Sequence, residues 1–156
     1  MLFRSAEAVN VIVNNNGELT GHISDREGFM MSLDDAGVVY KGKKMTLVGA
    51  GGASTAVAIQ AAMDGVREIS IFNYRDEFFT QGVKTALNLR SKFDCKVHIF
   101  DLADMNKFRQ EIADSNILIN GTPVGMESTK DQSVIPDVSY FHSELVVADL
   151  IYVPRS

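Results

Sequence analysis

LVGAGGAS, residues Leu47 to Ser54, is the stretch on which the reading of this chain turns. A short apolar run, Met45 to Val48, leads into it, and a small, apolar stretch from Ala53 to Met63 follows. The first suits a strand buried on both faces and the second a helix. Between strand and helix, a G-x-G-x-x-small pattern signals a turn that takes a dinucleotide. Gly49 permits the tight turn, and Gly51 lets a pyrophosphate approach the backbone. Ser54 takes the third position, where a small residue lets the helix pack close to the strand. With Ala50, Gly52 and Ala53 these residues present backbone N–H groups at a helix start, where the dipole favours phosphate. The alternative is a glycine-rich turn without a ligand.

Working outward, strand and helix patterns alternate. EISIFN (68–73) reads as a second strand, and Asp76 to Lys92 as a helix through Phe79, Val83, Ala86, Leu87 and Leu89. KVHIF (96–100) is a third strand, and Asp101 is placed to cap a helix running through Phe108 and Ile112. NILIN (116–120) and LVVADLIY (145–152) are a fourth and a fifth strand. Residues 122–143 carry Pro123 and Pro136 and read as loop with short helix. Such alternation predicts right-handed βαβ units, and so an α/β, Rossmann-like, doubly wound parallel sheet. Upstream, VNVIV (9–13) and ELTGHI (18–23) flank Asn14-Asn15-Asn16-Gly17, a hairpin turn. Ser24 and Asp25 then read as a helix start, followed by Phe29, Met30, Leu33 and Ala36, with Gly37 as the stop. The hairpin stands outside the repeating pattern, as an appendage or the remnant of a second domain.

The bulk numbers narrow the possibilities. With 156 residues, 46% of them hydrophobic, the chain fits one ordinary domain. The net charge is −5 and the 15 basic residues are scattered, which argues against nucleic acid or a membrane surface as partner. No apolar run approaches the length of a membrane span, and MLFRSAEAVN lacks the marks of a secretory signal. The single cysteine, Cys95, reads as a buried small hydrophobe, and a cytoplasmic protein is the expectation. His22, His98 and His142 lie far apart with no second ligand at useful spacing, so no metal is expected.

Three further segments carry chemistry. Asn73-Tyr74-Arg75-Asp76 lies just past the second strand, where such folds meet the adenosine ribose. An acid there accepts from the ribose hydroxyls and repels a 2′-phosphate; Asp76 and Glu77 outnumber Arg75, so NAD is expected over NADP. A solvated helix cap at Asp76 is the competing reading. Asn120-Gly121-Thr122-Pro123-Val124-Gly125-Met126 follows the fourth strand and is placed to touch the nicotinamide. Asp25, taken alone, is a helix cap.

Together these residues resemble the shikimate/quinate 5-dehydrogenases. The resemblance rests on Ala8-Val9-Asn10, GHISDREGF (21–29), GAGGAS (49–54), NYRDEFF (73–79), NGTPVGM (120–126) and VVADLIYVP (146–154), in the family's order and spacing. It implies reversible reduction of 3-dehydroshikimate or 3-dehydroquinate with a nicotinamide cofactor, the substrate lying between an N-terminal domain and the nucleotide domain. It further implies that Asn10 contacts substrate hydroxyls and that Asp25 pairs with a catalytic lysine. That lysine would exchange a proton with the carbinol oxygen as hydride moves. Tyr152 and the 120–126 loop would lie beside nicotinamide and substrate, and NYRD is similar to the branch of the family that accepts NAD.

The departures are as informative. The family's lysine lies well upstream of A-V-N, and none of the nine residues before Asn10 is Lys. The family continues with a closing helical segment beyond the position of Pro154. Ile23 and Ser24 stand where Asn and Thr are common, and Arg26 and Val153 replace a frequent Gly and Asn. The expectation is a fragment, with 1–23 a remnant of the substrate domain, 24–40 a linking helix and 41–156 the nucleotide-binding domain. Such a fragment would bind cofactor and turn over little substrate. A non-catalytic dinucleotide-binding module is the alternative. Another Rossmann enzyme or a methyltransferase fits A-V-N and NGTPVGM less well. Val9, Val11 and Val13 would seek a partner, giving a homodimer through the hairpin edge.

Overall fold

A computed structural model describes residues 9–15, 17–24, 28–122 and 133–152. The elements run β1 (Val9–Asn15), β2 (Glu18–Ser24), α1 (Phe29–Asp35), β3 (Lys44–Val48), α2 (Gly52–Met63) and β4 (Glu68–Asn73). There follow α3 (Glu77–Lys92), β5 (Lys96–Asp101), α4 (Met105–Ala113), β6 (Ile117–Asn120), a 3-10 turn (Val138–Tyr140) and β7 (Val146–Tyr152). One sheet holds all seven strands in the order β2-β1-β7-β6-β3-β4-β5. From β7 to β5 every pairing is parallel, as the alternation predicts.

The hairpin joins this sheet. β1 pairs antiparallel with β2 on one side and with β7 on the other, Val9 standing opposite Tyr152 and Asn14 opposite Val147. Its turn forms as the Asn-Gly composition predicts. Gly17 has φ +84°, and its N–H is accepted by Asn14 Oδ1 at 3.0 Å.

Two apolar layers sandwich the strands. On one face α1, α2 and α3 bury Phe29, Leu33, Val57, Ala58, Ala61 and Leu89 against Met45, Leu47, Ile69 and Ile71. Alanines at 58 and 61, both fully buried, bring α2 close over the sheet. On the other face α4 sets Phe108 and Ile112 on Val48, Phe72 and Leu118. The rings of Phe72 and Phe108 lie 4.8 Å apart, centroid to centroid. Each such side chain contributes about 1.5–3 kcal/mol by leaving water.

Two helix starts differ from the sequence reading. Ser24 is not a cap; it ends β2, paired with Val9, and α1 begins at Phe29 with Gly28 as its N-cap. Sheet pairing has claimed the serine, a tertiary demand that overrides its capping preference. Asp101 does not cap α4. Asp104 does, accepting from Lys107 N–H at 3.1 Å, because a turn through Leu102 and Ala103 separates β5 from the helix.

Candidate functional site

At β3 the strand order reverses, with β4 and β5 on one side and β6 and β7 on the other. Ligands of open parallel sheets bind at such a switch point, outside the carboxyl ends of the strands. Three segments meet there: the turn after β3, Asn73 to Asp76 after β4, and Gly121-Thr122 after β6.

The turn is built by close approach. Gly49 has φ +106°, and its N–H donates to Phe72 O at 2.7 Å. A Cβ at Gly49 would lie 3.0 Å from Ser54 Oγ and 3.2 Å from the Gly121 carbonyl. At Gly121 a Cβ would fall 2.0 Å from Ser54 Oγ. Ser54 is fully buried, as its place in the fingerprint requires, and Gly121 N–H donates to Val48 O at 2.8 Å. The turns after β3 and β6 therefore touch.

Gly51 is different. Its backbone is extended (φ −76°, ψ −172°), and a Cβ there would meet nothing within 4 Å. Gly52 is equally open, and among the described residues no side-chain cap is made at the N-cap of α2, Gly51. Nothing in the described residues crowds these two positions. Free N–H groups at a helix start suit an anion.

Asn73, buried at the end of β4, ties the turn to the next segment. Its Oδ1 accepts Ala50 N–H at 3.2 Å, and its Nδ2 donates to Tyr74 O at 2.7 Å and Asp76 Oδ1 at 2.9 Å. Asp76 also caps α3, accepting Phe78 N–H at 2.9 Å, so the cap reading of this residue holds structurally. Arg75 Nε donates to Asp101 Oδ2 at 3.1 Å, and its guanidinium sits 4.7 Å from the Phe79 ring centroid. α3 leans on the turn at Gly82, where a Cβ would lie 3.2 Å from the Ala50 Cβ and 2.2 Å from Ile99 Cδ1.

On the β6 side, Asn120 Oδ1 accepts the Thr122 hydroxyl at 2.6 Å and the Thr122 N–H at 3.1 Å. Asn120 stands beside Asp149 of β7 in register. Burial pushes the Asp149 carboxyl above its ordinary value, against a hydrogen bond from Asn120 that pulls it down. Asp149 was missed in the sequence, where an acid inside the apolar run LVVADLIY was the available signal. Pro123, Val124, Gly125, Met126 and Asp25 lie outside the described residues. Asn10 and Tyr152 are placed by backbone register, Asn10 opposite Ile151 and Tyr152 opposite Val9.

The other candidates recede. Burial, then Glu68 and Asp94, push the Cys95 thiol up to about 11, so it stays protonated at neutral pH. His142 Nε2 is 2.9 Å from Ser115 O, and His98 stacks on Phe100.

A glycine turn between strand and helix, at the switch point of a parallel sheet layered with helices, defines a Rossmann-like α/β protein. Within that class the chain is strongly homologous to the shikimate/quinate dehydrogenases. It is 49% identical over 147 residues to the shikimate dehydrogenase (NADP(+)) of Listeria monocytogenes serotype 4b, covering 94% of this chain and 50% of that protein. To the quinate/shikimate dehydrogenase of Escherichia coli O139:H28 it is 42% identical over 148 residues, covering 95% of this chain and 51% of that one. Among solved structures, the shikimate 5-dehydrogenase of Listeria monocytogenes, crystallised with shikimate and NAD, matches with TM-score 0.76 at 49% identity. That match covers 88% of this chain and 47% of the other. The chain thus spans about half the length of the relatives it matches. No family model matches it.

Proposed function

We propose that these residues form the nucleotide-binding half of a shikimate/quinate dehydrogenase and take a nicotinamide dinucleotide at the β3 switch point. The observation that carries this is the open space at Gly51 and Gly52, glycines that no crowding within the described residues explains, at an uncapped helix start. The amides of that turn and the α2 dipole would hold the pyrophosphate. Asp76, held by Asn73, would accept from the ribose hydroxyls, and the carboxylates of Asp76 and Glu77 favour NAD over a 2′-phosphorylated cofactor. The relatives bear on this from both sides, one bearing NADP(+) in its name and one crystallised with NAD. When bound, the nicotinamide supplies hydride transfer to and from a carbinol carbon.

Segment 120–126 and Tyr152 would border the nicotinamide, Asn10 the substrate hydroxyls, and Asp25 a proton-transferring lysine from the half of the enzyme not in this chain. The same reading takes 1–23 as part of the substrate-binding side, 24–40 as a link and 41–156 as the nucleotide domain. A polypeptide of these 156 residues would then bind dinucleotide but oxidise shikimate or quinate at least about 10²-fold more slowly than a complete enzyme, because on this reading the proton-transferring lysine is not among them. Calorimetric titration with NAD and NADP, beside a steady-state assay with both alcohols, tests this. Binding of NAD without turnover is the expected result; absence of binding, tighter NADP binding, or full turnover would each overturn its part. Light scattering checks a homodimer through the β2 edge, which a monodisperse monomer would exclude.

A further inference from the structure

Arg75 is the cation best placed to receive a 2′-phosphate, since it lies two residues past the end of β4 and one before Asp76. It is not idle. β4 and β5 run in parallel register with Asn73 beside Asp101, which brings the two strand ends together. Asp101 Oδ1 accepts Ala103 N–H at 2.9 Å, so its carboxylate is fixed by its own turn. Oδ2 then takes Arg75 Nε at 3.1 Å. The face of the guanidinium is occupied as well, 4.7 Å from the Phe79 ring centroid. Contacts on two elements, Asp101 at the end of β5 and Phe79 on α3, hold the side chain. A phosphate needs the planar fork of an arginine turned to it, with two N–H groups in line. It would also have to approach within reach of the Asp101 charge.

We propose that Asp101 is the positioning residue that sets cofactor choice at this site, by holding Arg75 away from the 2′-position of the adenosine ribose. The inference rests on the dinucleotide reading of the switch-point site. Asp76 acts on the ribose itself; Asp101 acts through Arg75. The sequence alone could not show this, because the pair is joined across two strands by their register.

The test is a double-mutant cycle read by calorimetry on the 156-residue chain with NAD and with NADP. Asp101→Asn keeps an oxygen for the Ala103 N–H, and Asp101→Ser is a second variant that can cap the same turn. Both are expected to tighten NADP by more than about twofold and up to about fivefold, the scale of an exposed ion pair released, with NAD unchanged within about twofold. In an Arg75→Ala background the same substitutions should give less than about half that gain, since only charge repulsion is then relieved. An equal gain in both backgrounds would show repulsion alone and overturn the proposal. So would no gain, or a parallel loss for NAD and NADP, which marks a disturbed turn. Wild-type chain that binds neither nucleotide overturns the dinucleotide reading itself, an outcome distinct from binding with an unchanged preference.

Discussion

At the scale of single residues, the four glycines around the turn do different work. Gly49 and Gly121 are demanded by the protein, one by a positive φ and both by the proximity of Ser54. Gly51 and Gly52 are demanded by nothing in the described chain. Gly121→Ala should therefore destabilise the fold by about 1–3 kcal/mol, the usual scale of overpacking. Ser54→Gly in the same chain should recover part of that loss. Gly51→Ala should cost less than about 1 kcal/mol, since alanine is only a poorer N-cap, yet weaken dinucleotide binding at least about tenfold. Urea denaturation and nucleotide titration on the same samples separate the two effects. A Gly51 variant that binds normally would remove the support for a ligand here. The fingerprint was legible in LVGAGGAS because its logic is local. Its division into crowded and open positions was not, because the crowding partner of Gly49 and Ser54 is Gly121, far along the chain.

At the scale of elements, strands and helices from β3 onward follow the apolar periodicity closely. β4 covers the residues EISIFN, and α3 starts after Asp76 as its capping chemistry requires. Failures fall where a local preference meets a tertiary demand, as at Ser24 and Asp101. The seam between α4 and the sheet was wholly illegible. There the buried Lys44 ammonium contacts Glu111, with Asp114 at 3.4 Å and Glu68 at 3.7 Å, and Lys107 reaches Glu111 at 3.2 Å. Burial alone would raise the Glu111 pKa, but the hydrogen bonds and charges of Lys44 and Lys107 together hold it below its ordinary value. Burial would lower that of Lys44, and Glu111, Glu68 and Asp114 together hold it above. The sign follows from linkage. The depressed acid stabilises above the ordinary carboxylate range and loses this as pH falls through its folded value. The raised base stabilises below the ordinary lysine range and loses this as pH rises through its own. The cluster thus contributes fully at neutral pH. Glu111→Gln should cost about 1.5–3 kcal/mol there, the scale of a charged hydrogen bond lost, since Asp114 and Glu68 still face the ammonium. The difference from wild type should shrink toward acid. Denaturation curves from pH 3 to 8 measure both; a pH-independent difference would assign the cost to packing.

At the scale of the whole molecule, the hairpin makes the sheet wider than its parallel part. β7 is thereby an interior strand, and the edges are β2 and β5. The sequence showed the hairpin but not its place, since nothing local specifies that β1 pairs with β7. Local opening should follow this order. Amides of β3 and β6, paired on both sides and covered by buried layers, should exchange slowest, and those of β2 fastest among the strands. Native-state hydrogen exchange checks it; β2 protected as strongly as β3 would mean the edge is covered in solution, as a dimer through it requires.

Asn73 has a further consequence for how such a site can evolve. One side-chain amide holds both a backbone N–H of the glycine turn and the carboxylate that caps α3. Under the reading proposed, the grips on phosphate and on sugar share that amide, and a substitution there loosens both at once. A lineage that exchanges one cofactor for another must therefore do so around a fixed hub. The positions left to change the choice lie beside it, the exposed Arg75 and the half-buried Asp101, which bond to each other rather than to the glycine turn.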